Sequence, residues 1–489
     1  MVPLVSPTVC PKPLMKQPQY WAAPQTSPSR IQICPCVLHH KYQFVRKPIS
    51  FYHNQEFPTS TRRNTMAGAY DDMWEKLNLD LTAHEGLLQV LGKFYGDIYL
   101  SQENRLKGME YMDFVLSEVH GLRIKELQDA KAEGKKIIGT FCVYVPEELV
   151  LAADCVQIGL CAGAEVGMES AERLVPRNTC DLIKSFVGFK LARLCPYVES
   201  CDLIIGETTC DGKKKAYEAF GELAPMYVME VPQTKSDAAK ALWRAEVRRF
   251  KARLEELTGK TITAGDIKRG IDIVNGKRKA LQRLSALRAA DPAPISGRDA
   301  LLINQISFYD DPIRFTTQIN TLCDELEARV AAGEGVAPKG TKRVLLSGCP
   351  MAVPNWKLPF VIESSGAVIV GEESCIGERN TRDLTPEAAG GEEAMLDAIA
   401  DRYMKIDCAC FTPNAERPGN ILELANRLQA DGVIQYTLLF CQPYANEAMR
   451  MEPILAGRGI PSLALETGYS MEDIGQLKTR VEAFVETLE

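Results

Sequence analysis

Residues 154–212 read DCVQIGLCAGAEVGMESAERLVPRNTCDLIKSFVGFKLARLCPYVESCDLIIGETTCDG. The run CVQIGLC (155–161) is apolar and ends on Cys161. After Cys180, DLIKSFVGFKLA has apolar residues at spacings of three and four. A second apolar run, DLIIGETTC (202–210), ends on Cys210 and leads into DGKKKAYEAF. Short apolar runs alternating with helix-like segments are the pattern of a parallel sheet covered by helices. Working outward, KKIIGTFC (135–142) and APMYVMEVP (224–232) add two further strands.

The pattern returns in RVLLSGC (343–349), GAVIVGEESC (366–375), GVIQYTLLFC (432–441) and GIPSLALE (459–466). Cys142, Cys161, Cys180 and Cys210 are answered in order by Cys349, Cys375, Cys410 (or Cys408) and Cys441. The last intervals nearly match: Cys180 and Cys210 are 30 residues apart, Cys410 and Cys441 31. The expected fold is α/β: two doubly wound parallel-sheet domains of the flavodoxin/Rossmann-like kind, related by internal duplication, with added helical segments. The expected organisation is a leader over 1–65, an N-terminal helical region over 66–135, a first cysteine-rich α/β domain over 136–232, a helical connection over 233–342, and a second cysteine-rich α/β domain over 343–489 with a closing helix. In the connection, SDAAKALWRAEVRRFKARLEELTGK reads as a helix capped by Ser236, with a Pro-containing break at DPAPISG.

With 489 residues, 46% apolar and 25% charged, the chain can form two or three ordinary globular cores. No run approaches the roughly 18 uncharged apolar residues of a membrane span, and the expected location is the cytoplasm. A net charge of −7 gives the whole chain no nucleic-acid footprint. Residues 1–65 hold eight Lys/Arg and one Glu, so +7 sits there and −14 on the rest. This basic, aperiodic leader resembles a transit peptide in composition; a disordered leader or a start at Met66 is the preferred reading.

Thirteen of the sixteen cysteines fall between Cys142 and Cys441, none in a C-x-x-C pair, which argues against zinc ribbons and thioredoxin-like sites. All five histidines precede residue 142, so neither a catalytic triad nor a His-ligated metal forms within the cysteine-bearing regions themselves. TGKT (258–261) lacks the upstream glycine of a phosphate-binding loop, position 254 being Leu, and GLCAGAEVG (159–167) lacks the G-x-G-x-x-G spacing. No ATP site is evident.

Ligands of open parallel sheets collect at the carboxyl ends of the strands, where Cys161, Cys210, Cys375 and Cys441 are expected. Cys180 and Cys210 each precede a helix-like segment, and a helix N-terminus favours a thiolate. A thiolate set points to iron–sulfur or zinc, with Lys184, Lys213 and Arg379 near enough in sequence to balance its charge. One cysteine at a strand end is more often a small buried hydrophobe. The repeated set is harder to explain that way.

LVPRNTCDLIKSFVGF, GETTCDGKKKAYE, SGCPMAVPNWKLP, EESCIGER, CACFTPN, FCQPY and GQLKTRVEAF resemble the 2-hydroxyacyl-CoA dehydratase / benzoyl-CoA reductase superfamily over roughly 66–489, and most of all its double-cubane-cluster anaerobic reductases. The resemblance implies an [8Fe-9S] double cubane held by six cysteines, or, in the dehydratase alternative, one [4Fe-4S] cluster held by three. Carried over by motif, Cys180, Cys210 and Cys441 are ligands shared across the superfamily. Cys161, Cys375 and Cys410 are chosen for the second set, with Cys408 a rival to Cys410. Cys142, Cys195, Cys201 and Cys349 are left as core or supporting residues.

The resemblance also implies a homodimeric iron–sulfur ATPase activator as electron donor, a small-molecule substrate and a homodimer. The expected function is thus an ATP-driven iron–sulfur oxidoreductase. The alternatives are a 2-hydroxyacyl-CoA dehydratase subunit, a lyase, and a non-enzymatic electron-transfer protein. Catalytic acid/base residues are not readable from the sequence.

Overall fold

The computed structural model describes residues 68, 70–387 and 390–488; the leader expected over 1–65 lies outside them. The eight apolar runs form eight strands: β1 (Ile137–Thr140), β2 (Val156–Gly159), β3 (Leu203–Glu207), β4 (Met226–Met229), β5 (Lys342–Gly348), β6 (Ala367–Glu373), β7 (Gly432–Leu438) and β8 (Ser462–Thr467). They make two four-stranded sheets of order β2-β1-β3-β4 and β6-β5-β7-β8. Every pairing is parallel. The central strands read as unbroken apolar runs because both of their faces are covered: β1, β3 and β7 are buried at every position. The second sheet thus repeats the strand order of the first, the order that opens a flavodoxin-like sheet.

In each sheet the chain reverses direction of growth beside the first strand. The crevices lie between β1 and β3 and between β5 and β7, and their carboxyl ends are where a doubly wound sheet binds ligands. Helices Leu81–Tyr95, Met109–Ser117 and Leu122–Ala132 form the N-terminal layer. Asp237–Thr258, Ala264–Leu287, Gly297–Ile306 and Pro312–Ala331 form the connection. Ser236 caps the first of these by accepting from the Ala239 amide, and Gly259 ends it at a φ of 68°. Thr263 and Asp266 form a capping box on the next. The closing helix is Ile474–Glu486.

One apolar cluster contains Ile137 and Ile204 of the first sheet and Val344 and Ile434 of the second. Beside the strand ends the loops of the two halves touch. The Gly163 amide donates to the Val353 carbonyl at 2.9 Å, and a Cβ at Gly163 would lie 2.1 Å from the Ala352 oxygen. Any larger residue would push the two loops apart. A buried polar tie lies further back, where Glu148 accepts from Arg278 (2.7 Å), Thr385 (2.7 Å) and Tyr403 (2.8 Å). Residues of the first half, the connection and the second half therefore meet on one carboxylate.

Candidate metal centre

The carboxyl ends of the two sheets open into one cavity of about 680 Å³. Eight cysteines line it: Cys142, Cys180, Cys210, Cys349, Cys375, Cys408, Cys410 and Cys441. Six of the seven candidates drawn from the sequence are among them. Cys161 lies instead in a small apolar chamber behind the wall, which shares Cys142 and Cys375 with the cavity. Its thiol donates to the Phe141 carbonyl at 2.8 Å. Cys142 and Cys349, set aside in the sequence reading, follow β1 and β5 and therefore flank the two crevices together with Cys210 and Cys441. The signal that could have found them is their matched place in the repeat, joined to the strand order.

Three helices start at the cavity with a cysteine as N-cap: Cys180 before Asp181–Leu191, Cys210 before Asp211–Phe220 and Cys441 before Gln442–Ala456. A cysteine does not cap as serine or aspartate does, and none of the three side chains closes a cap bond. The sulfurs are left at the positive ends of three helix dipoles, where negative charge is favoured. Cys408 and Cys410 stand on the irregular segment between helices Gly391–Tyr403 and Glu416–Arg427. The Asn414 amide fixes that segment by donating to the carbonyls of Asp407 and Cys408, each at 3.1 Å.

The thiols fall into two groups. Cys441 faces Cys180 and Cys349, with Cys210 between Cys180 and Cys408. On the other side, Cys142 faces Cys375 and Cys408 faces Cys410. The Cys410 thiol and then the Arg379 guanidinium pull Cys408 down to about 5 against the effect of burial, while Cys410 is pushed up. The bond from Cys142 and the charge of Arg379 likewise lower Cys375. In the first group the Cys441 thiol and burial raise Cys180, while for Cys441 the lowering by Cys180 is outweighed by the Cys349 thiol and burial.

Arg379 is fully buried, donating to Glu373 at 2.6 Å, to the Cys375 sulfur at 3.5 Å and to the Tyr444 phenol. Lys213 lines the cavity and donates to the Phe141 carbonyl at 3.1 Å. Lys184 pairs with Asp181 at 3.1 Å and is not part of the lining. Phe440, in the left-handed region at a φ of 65°, stands half-open at the rim immediately before Cys441.

Among the described residues, no three His, Cys, Asp or Glu side chains gather at the spacing of a single metal ion. The sulfurs instead stand around the wall of the cavity. The donor set fits a polynuclear iron–sulfur group: soft thiol ligands on several sides, two of them already lowered, and three helix N-termini to balance an anion. Residues 142–488 match the family of the 2-hydroxyglutaryl-CoA dehydratase D-component. The chain belongs to this family. It is 37% identical over 380 residues to YjiM of Escherichia coli (strain K12), named as a candidate dehydratase subunit, covering 76% of this chain and 96% of that one. It is 27% identical over 365 residues to the (R)-phenyllactyl-CoA dehydratase beta subunit of Clostridium sporogenes, covering 73% and 92%. It is 26% identical over 332 residues to a benzoyl-CoA reductase subunit of Thauera aromatica, covering 66% and 82%. These family relatives are named as dehydratase and reductase subunits. Among the described residues no helix is long and apolar enough to cross a membrane.

Proposed function

We propose that this protein is the reductase component of an ATP-driven system: it holds an [8Fe-9S] double cubane in the cysteine-lined cavity, receives electrons from a homodimeric iron–sulfur ATPase, and reduces a small molecule. The observation that carries this reading is the division of one cavity's thiols into two groups, one for each cubane. Cys180, Cys210 and Cys441 hold the first; Cys375 and Cys410 (or Cys408) belong to the second, with Cys142 as rival to the expected Cys161. Cys349 stays a supporting residue in this reading; its sulfur accepts from the Leu438 amide at 3.3 Å. The bound group supplies low-potential electrons. The chain's part is electrostatic: the neighbouring thiols and then Arg379 lower Cys375 and Cys408, and the three helix N-termini lower the cost of a buried anion. The protein acts as a cytoplasmic homodimer in this reading.

The second reading is a 2-hydroxyacyl-CoA dehydratase subunit with a single [4Fe-4S] cluster, favoured by relatives named as dehydratase beta subunits. Anaerobic purification with iron and sulfide analysis separates the two. About eight irons per chain is the expected result, and about four after reconstitution supports the dehydratase reading. Zinc without sulfide overturns both.

A further inference from the structure

One buried polar group at the cavity has no well-formed hydrogen bond within the chain. Tyr144 follows Cys142 in the loop after β1, is 1% exposed, and its phenol oxygen has no hydrogen-bond partner of good geometry. Its ring is held edge-on by Trp243 (centroids 6.3 Å, planes at 86°) and by Phe411 (6.2 Å, 67°). Phe411 itself comes one residue after Cys410, and the Thr412 amide donates to the Gln233 carbonyl at 2.8 Å, tying that segment to the start of the connection. The ring is thus fixed from the connection and from the second half. The titratable groups that the phenol faces most closely are Cys410, Cys408, Cys142 and Cys375, and it leans toward the first of them.

Leaving a hydroxyl buried and unpaired costs about 1–3 kcal/mol, and phenylalanine would pack the same ring without that cost. Other buried phenols also lack partners, but their settings differ. Tyr217 lies beside Lys213 and Glu207 as well as Cys142 and Cys161, and Tyr469 beside Tyr436 and Asp181 as well as Cys180 and Cys161. Tyr99 sits far from any cysteine, among Asp299, Tyr95, Arg298 and Glu363. Of these four phenols, Tyr144 is the one whose leading titratable neighbours are all cysteines. A donor buried among thiols finds its acceptor when those thiols carry a sulfide-rich anion.

Resting on the iron–sulfur reading above, we infer that the Tyr144 O–H donates a hydrogen bond to a sulfur of the centre bound by Cys375 and Cys410 (or Cys408), and that this bond raises the centre's reduction potential. Reduction adds negative charge to the sulfurs, so a donor aimed at them stabilises the reduced form more than the oxidised one. No proton leaves the phenol. Tyr144 is a positioning and tuning residue, and it touches no substrate in this argument.

The test is Tyr144→Phe in the full-length, anaerobically loaded protein, read by a redox titration followed by electron paramagnetic resonance. The expected result is unchanged iron and sulfide content with a midpoint potential moved to more negative values. About a tenfold fall in the reduced-to-oxidised ratio at fixed potential corresponds to ~59 mV for one electron. Metal-free Tyr144→Phe is expected to melt at or above the wild-type temperature, because it loses only an unpaired hydroxyl. Tyr99→Phe, which removes an equally buried phenol away from the cysteines, is expected to leave the potential unmoved. A ring-fluorinated tyrosine at position 144, a stronger donor, is expected to shift the potential upward.

A fully loaded Tyr144→Phe protein with the wild-type potential overturns the inference. So does a metal-free variant that melts well below wild type, since the phenol would then have a structural partner. If Tyr144→Phe does not load, the fluorinated protein decides, and no upward shift there overturns it. Absence of iron and sulfide from the wild-type protein defeats the functional reading itself and is told apart by metal analysis alone.

Discussion

The two thiol groups can be emptied one at a time. Replacing Cys180, Cys210 and Cys441 together by alanine removes the three sulfurs that stand at helix N-termini and leaves Cys142, Cys375, Cys408 and Cys410 in place. If each group holds one cubane, iron falls from about eight to about four per chain, and sulfide falls with it. The remaining cubane keeps its two lowered thiols and Arg379, so it needs nothing from the first group to bind. Metal-free stability is expected to change by about 1 kcal/mol or less per site, because each lost sulfur lines a cavity and leaves little new void in packed core. The assay is iron and sulfide quantification with cluster spectroscopy on anaerobically reconstituted protein, alongside thermal melting of the metal-free chain. Cys323→Ser is the control: Cys323 is enclosed in helix Pro312–Ala331 among core side chains, and its replacement is expected to leave the cluster spectrum unchanged. Loss of all iron in the triple variant would refute the two-group reasoning, since it would mean one cooperative site. Retention of about eight irons would refute the ligand assignment.

Two further outcomes follow from particular contacts. Cys142→Ser is expected to lower iron content while Cys161→Ser leaves it near wild type, because Cys142 faces the cavity beside Cys375 and Cys161 is bonded to the Phe141 carbonyl behind it; metal analysis of the two variants reverses the assignment if the losses are exchanged. Burial alone would raise Glu148, but Arg278 and Arg402 outweigh it and hold its carboxyl at about 2, below an ordinary value of 4.5. A folded-state pKa below the unfolded one gives stability that is fully present above about pH 4.5 and is lost as pH falls toward 2, on the order of 3 kcal/mol for this group. In urea denaturation, Glu148→Gln should start lower near neutrality by a similar amount, because Arg278 is left buried without its partner, and should fall less steeply between about pH 5 and pH 2. Parallel acid profiles for the two proteins would contradict the assignment.

The strands were legible because their chemistry is local. A parallel strand covered on both faces must be apolar at successive positions, and KKIIGTFC or GVIQYTLLFC shows this without any knowledge of neighbours. The helix after Cys180, Cys210 or Cys441 was legible for a similar reason. What the sequence does not contain is which strands lie side by side. β2 stands at the edge of its sheet and β1 is central, so the cysteine after β1 borders the crevice and the cysteine after β2 stands one strand away. That difference separates Cys142 from Cys161, and no periodicity in either run expresses it. Cys408 and Cys410 lie in a segment with no regular period; their place is set by the local Asn414 bonds and by Asp407, which pairs with Arg379 and Arg382 from another part of the chain.

The repeat in strand order does not make the two halves chemically equal. Cys375 follows β6, the strand that matches β2, yet it reaches the cavity where Cys161 does not. Arg379 holds it there, four residues on, by donating both to its sulfur and to Glu373 at the end of β6. The first half has no such guanidinium after β2: the corresponding stretch runs through AGAEVG, and Gly163 is committed to contact with the Val353 loop. The second half therefore supplies the buried guanidinium and the thiols already lowered. The first supplies two helix N-termini, at Cys180 and Cys210, and the unpaired phenol of Tyr144. Charge compensation for a buried anionic group thus comes from the Arg379 guanidinium and one helix N-terminus on one side, and from the Lys213 ammonium and two helix N-termini on the other. Cubanes bound to the two groups would sit in unlike fields, so their reduction potentials should differ even though the strands that carry them share one topology.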